Sequence, residues 1–101
     1  MPVYVDDGRA RYRGMLMAHL IGDEADLHVM AARIGLRREW CHRGHYNLSQ
    51  TLRAKAVARC AIEISRKTAA VMMGNARAGL PMGTPATCLA IAAQRRGRGK
   101  L

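Results

Sequence analysis

An α/β fold is what this sequence predicts: a small three-stranded parallel sheet with flanking helices, in the order β-α-β-α-β-α, followed by a C-terminal helix and a basic tail. Three observations lead there. Short β-prone runs occur at Val3-Tyr4-Val5, Arg38 to His42 and Ala61-Ile62-Glu63-Ile64. Stretches with helical spacing and helix-start residues lie between and after them. Strands that alternate with helices imply parallel pairing through right-handed crossovers.

In chain order, Val3-Tyr4-Val5 reads as a strand stopped by Asp6-Asp7-Gly8. Arg9 to Arg13 reads as a basic loop bordered by Gly8 and Gly14. Met15 to Ile21 is apolar and leaves two readings open, a short helix or a buried extended segment. Asp23 is an N-cap candidate, Asp26 suits the positive end of the helix dipole, and Leu27, Met30, Ala31 and Ile34 recur at helical spacing. Gly35 supplies the stop, so a helix is expected over 23–34. The run from Arg38 to His42 is the second expected strand. Asn47 or Ser49 caps the next helix, whose face is Leu52, Ala56, Val57 and Cys60. Ala61 to Ile64 is the third strand. Ser65 caps a helix to about Arg77, ended by Gly79. After a linker at Pro81-Met82-Gly83, Thr84-Pro85 opens a last helix, Ala86 to Arg96. Gln94 to Lys100 is expected as a flexible basic tail. Residues 1–80 would form the α/β domain and 81–101 the appended helix and tail.

Composition narrows the function. The 101 residues are half hydrophobic but hold only four aromatics and no Phe, so the core must be Ala, Leu, Ile, Val and Met. No apolar run approaches the ~20 residues that span a bilayer, and the N-terminus does not read as a signal peptide, so a cytoplasmic protein with no membrane partner is expected. Three Cys (Cys41, Cys60, Cys88) without CxxC spacing are expected as free thiols. The net charge of +10 is uneven: residues 64–101 hold seven Lys/Arg and no acid. Such a surface attracts polyanions, of which nucleic acid is the commonest, although a basic surface that only aids solubility is an equal reading.

The candidate chemistry gathers where ligands bind in parallel sheets, outside the carboxyl ends of the strands. Asp6 and Asp7 follow the first strand, His42 and His45 the second, and Ser65 the third. His19, Asp23 and His28 fall in the first crossover. Asp6, His19 and His45 are the candidate catalytic residues. Imidazoles with a carboxylate serve as acid and base or bind a divalent metal, the one cofactor this set suggests. The other reading is that these histidines fix loops. Trp40 and Tyr46 have the type of side chain that stacks nucleobases, with a core anchor as the alternative for Trp40. Arg9, Arg11 and Arg13 are candidate phosphate contacts, and Asp23, His28, Arg38 and His42 complete the polar edge. No GxGxxG, GxxxxGK[ST], GxSxG or HExxH occurs.

One family pattern runs through these residues: Tyr4-Val5-Asp6-Asp7, Gly14 to His19-Leu20-Ile21 with Asp23, Leu27-His28, Ala31-Ala32, Ile34-Gly35, Arg38, Trp40 and His45-Tyr46. Over about residues 3–64 the chain resembles the domain of unknown function 4031 family of bacteria and bacteriophages. That resemblance implies a phage or prophage setting and a site built on Asp6, His19 and His45. It has two departures: Ala18 stands where the family usually has Ser, and Asn47 where it usually has Asp. The expectation is a small basic protein that binds nucleic acid or a phosphate-rich ligand, with metal- or His-assisted hydrolysis as its chemistry if it is an enzyme. The rival is a non-catalytic anti-defence module that binds a host nucleic-acid-processing protein complex.

Overall fold

In the computed structural model, which describes residues 2–8 and 10–99 (97–99 by backbone alone), the Arg13-Gly14 pair decides the topology. Both residues take positive φ, 50° and 77°. A two-residue turn of that kind matches the twist of an antiparallel hairpin. It folds β2 (Ala10–Tyr12) directly onto β3 (Met15–Gly22), so the expected basic loop is partly strand and the ambiguous apolar run is the central strand. β1 (Val3–Val5) pairs antiparallel with the far half of β3, from Val3↔Gly22 to Val5↔Leu20. β4 (Tyr46–Leu48) pairs antiparallel with β3 from Ala18↔Leu48 to Leu20↔Tyr46. β5 (Ile62–Glu63) lies parallel to β1.

The sheet is therefore five-stranded and mixed, and β1–β5 is its one parallel pair among the described residues. The expected three-stranded parallel sheet is corrected on two grounds. Arg-Gly turns were not legible as hairpin turns, because Arg rarely takes positive φ. The expected strand at 38–42 is instead a 3₁₀ turn, Arg38–Trp40, which leaves Trp40 54% exposed rather than anchoring the core.

Helices follow their local signals more closely. α1 (Glu24–Arg33) begins after Asp23, whose backbone carbonyl accepts from Leu27 at 2.8 Å but whose side chain makes no cap bond. α2 (Gln50–Ala58) is capped by Ser49, which accepts from the Leu52 N–H. α3 (Arg66–Arg77) is capped by Ser65 in the same way. α4 (Cys88–Gly99) follows a turn closed by Thr84 and Thr87 and continues through most of the expected flexible tail; Lys100 lies outside the described residues.

Strand alternation gives the sheet two apolar faces. Val3, Val5, Ala18, Leu20, Tyr46 and Leu48 pack under Leu27, Met30 and Ala31 of α1 and Ala56 of α2. Tyr4 and Ile21 pack on the other face with Ala69 and Met72 of α3 and Cys88 of α4. All three cysteines are free thiols. Among the described residues, no helix is long and apolar enough to cross a membrane. Buried Asn75 joins α3 to the start of α4: its Nδ2 donates to the carbonyls of Met82 (3.2 Å) and Cys88 (3.0 Å). Asn75→Ala strips both carbonyls of their donor and should cost about 1–3 kcal/mol of stability. Urea unfolding with an unchanged midpoint would show that this bond does not hold α4 in place.

Candidate functional site

Between Val5↔Leu20 and Ala10↔Met17, four residues of the first segment (6–9) face only two of β3 (18–19). The surplus makes a bulge, and the bulge turns Asp6 inward. The Asp6 N–H continues the ladder by donating to the His19 carbonyl at 3.1 Å. Its carboxylate then closes the loop: Oδ1 accepts from the N–H groups of Gly8 (3.1 Å) and His19 (3.0 Å). Gly8 has φ +73°, and a Cβ there would stand 2.7 Å from Gln50 Nε2, so the position requires glycine. α2 clamps the bulge from outside. Gln50 Nε2 donates to the carbonyls of Gly8 and Leu16, while Arg53 Nε donates to that of Asp6 at 2.8 Å and its Nη2 to Glu63 at 2.9 Å.

The other carboxylate oxygen, Oδ2, accepts from His19 Nδ1 at 2.6 Å. Asp6 is 1% exposed. Burial pushes its carboxyl upward, but the bonds from the His19 ring, the His19 N–H and the Gly8 N–H, together with the His19 charge, outweigh it and hold it below the usual carboxylate range. An ionised carboxylate only accepts, so His19 Nδ1 carries a proton, and in the neutral ring Nε2 is the basic nitrogen.

A second Arg-Gly turn brings up the next imidazole. Arg43 and Gly44 have φ 52° and 83°, and His42 and His45 bond to each other across them at 2.8 and 3.2 Å. The His45 ring stands edge-on to His19, with centroids 5.1 Å apart, and to His42 at 6.0 Å. His45 is 6% exposed, and its Nδ1 has no hydrogen-bond partner of good geometry among the described residues. Burial, then the charges of His19, His42 and Arg77, push its pKa down; the Arg43 backbone alone pulls the other way. Burial and these charges together favour the neutral form of the His45 ring.

The three candidate catalytic residues, with His42, thus come together, and the rest of the predicted edge does not. His19 belongs to the central strand, not to a crossover. Tyr46 follows His45 in the chain, so its side chain points to the opposite face, where its hydroxyl meets His28 Nδ1 at 2.6 Å. Burial, aided by Cys41 and Glu39 and opposed by Arg38, pushes that phenol up. Glu24 lies 3.8 Å from both His28 and Arg38. Asp23 is exposed before α1, and Arg37 lies 5.9 Å over the outward-facing Trp40. Arg11 and Arg13 are exposed on the β2–β3 hairpin, where Arg13 stacks on Tyr12; Arg9 lies outside the described residues. Gln50, Arg53 and Arg77 went unread in the sequence because nothing local marks a contact across forty residues. Among the described residues, no group of three or more His, Cys, Asp or Glu is arranged to hold a metal ion.

A family model described as "Protein of unknown function (DUF4031)" matches residues 3–76. The chain belongs to this family. The DUF4031 match covers the whole sheet and nearly all of α3, and so extends beyond the span 3–64 read from the sequence. No curated protein and no solved structure matches the chain. The two positions that the sequence reading sets apart from the family pattern, 18 and 47, lie on opposite faces of the sheet. Ala18 is fully buried in the α1/α2 core, away from the histidines, whereas exposed Asn47 pairs with His19 across β3–β4 on the same face of the sheet.

The lowered pKa of His45 makes stability depend on pH. Below histidine's ordinary value of about 6.5 the unfolded chain binds this proton and the folded one resists it, so stability falls as pH drops through that value. Chemical unfolding at a series of pH values should give a shallower fall between pH 7 and pH 5 for His45→Gln than for the parent chain. Equal slopes would mean that His45 titrates alike in both states.

Proposed function

We propose that this protein binds a phosphate-bearing ligand of the nucleic-acid or nucleotide class and hydrolyses a phosphate ester with histidine assistance. The observation that carries this reading is the 2.6 Å bond from buried Asp6 to His19 Nδ1. A carboxylate that fixes the tautomer and the ring leaves a correctly oriented base at the opposite nitrogen. In the proposed step, His19 Nε2 takes a proton from water as the water oxygen bonds to phosphorus. The ester P–O bond breaks, and the leaving oxygen takes a proton from His42, the exposed member of the cluster. Arg77, whose charge acts on His45, and Arg43 in the turn offer counter-charge to the phosphate. Arg11, Arg13 and the acid-free stretch after residue 63 supply the long-range attraction for a polyanion.

A non-catalytic protein-binding module is the second reading, and exposed Trp40 with Arg37 over its ring is the observation that favours it. Aromatic and Arg side chains are enriched in protein interfaces. The two readings separate in one set of variants. Against a panel of nucleotides and short nucleic acids, His19→Ala should lower kcat by about 10²–10⁴-fold, and Asp6→Asn should lower it as well because the amide no longer fixes the tautomer. Binding of the nucleic acid should weaken steeply with added salt. A folded His19→Ala/His45→Ala double variant with full activity would leave only the binding module.

A further inference from the structure

At the end of the sheet where β3 finishes and β4 begins, α1 and α3 stand apart and leave a cleft of about 230 Å³. It shares two chain segments with the histidine cluster. Gly44, in its wall, precedes His45, and Ala76, in its wall, precedes Arg77. Its sides are Leu27, Met73, Met82 and the half-buried thiol of Cys41. Pockets for drug-sized ligands run to about 300–1,000 Å³, so a cleft of 230 Å³ takes one small ring system. Thioether and thiol walls suit a flat aromatic ring, because polarizable sulfur makes favourable contacts with it.

The charged and imidazole side chains that line the cleft are Glu24, His28 and Arg43. His28 commits Nδ1 to the Tyr46 hydroxyl. Its Nε2 is 3.8 Å from Glu24, too far for a hydrogen bond, so Nε2 and the Glu24 carboxylate both have capacity for the edge of a ligand. A carboxylate accepts from an exocyclic amino group, as it does when proteins read cytosine. Arg43 sits in the turn between the cleft and the His42–His45 pair, where a linked phosphate would lie.

From this juxtaposition we infer that the cleft is a nucleobase subsite, and that the ligand is a nucleotide or a nucleic-acid end whose amino-bearing base enters the cleft while its phosphate lies at the histidines. This rests on the phosphate reading given above and names its substrate class. It also distinguishes the ligand from the interior of a duplex, whose bases are stacked and unavailable.

Calorimetric titration of the full chain with adenosine monophosphate, ribose phosphate, inorganic phosphate and adenosine tests it. Stacking of one base is worth about 1–3 kcal/mol, so adenosine monophosphate should bind at least about fivefold more tightly than ribose phosphate. Ala76→Phe, a change at an exposed position of α3, fills the cleft and should remove that advantage while leaving inorganic phosphate binding as it was. Glu24→Gln should weaken adenosine monophosphate and adenosine and leave ribose phosphate and inorganic phosphate as they were. Equal affinity for adenosine monophosphate and ribose phosphate, or an unchanged advantage in Ala76→Phe, overturns the base subsite and leaves the phosphate reading standing. Adenosine binding that Ala76→Phe abolishes, with no binding of either phosphate control, keeps the base subsite and overturns the phosphate reading.

Discussion

Burying the Asp6 carboxylate is the constraint on which the rest of this structure depends. A charge out of water is costly unless every lone pair is met. Here two backbone N–H groups and an imidazole meet it. Supplying the Gly8 N–H requires a bulge and a positive φ at that residue. Holding the bulge requires Gln50 and Arg53, which is why α2 begins where it does against the first hairpin. Arg53 in turn ties Asp6 to Glu63 at the end of β5. Asp6 therefore links β1 to β3 through its carboxylate and to α2 and β5 through its backbone carbonyl and Arg53, and the carboxylate bonds that make its burial tolerable also orient His19.

The helices were legible in the sequence because their signals are local. Ser49, Ser65 and the glycines that end α1 and α3 act within a turn of the helix they bound. The sheet was less legible because its order depends on two turns of Arg-Gly type. Arginine pays a steric cost at positive φ, so neither pair reads as a hairpin turn until the strands around it are seen to meet. With those turns hidden, the run around Trp40 reads as a second strand, and helix–strand alternation points to parallel crossovers. The apolar content of Met15 to Ile21 was equally uninformative. Its buried half is covered on both faces, so it lacks the alternation that marks a half-buried strand.

The site was legible in its chemistry and illegible in its supports. Asp6, His19 and His45 were identifiable as residues able to move protons, and they do meet. Tyr46, a stacking candidate in the sequence, follows His45 in the chain, yet strand alternation sends it to the opposite face, where it joins His28. Arg77 comes from the last turn of a helix and is silent until the fold brings it toward His45.

The same alternation decides which departure from the usual DUF4031 pattern bears on chemistry. A Ser at 18 would place its hydroxyl in the α1/α2 core, between Leu20 and Leu48 in space and on the far side of the sheet from the imidazoles. Its absence therefore leaves the proposed proton transfer as it was. An Asp at 47 would add a second carboxylate on the His19 face, and Asn47 withholds that charge. His19 does not need it for orientation, since Asp6 already holds Nδ1. What Asn47 changes is the field around the cluster. The one carboxylate that does bond a histidine of the cluster is the buried Asp6. Of the two positions, 47 therefore bears on the histidine face of the sheet and 18 does not.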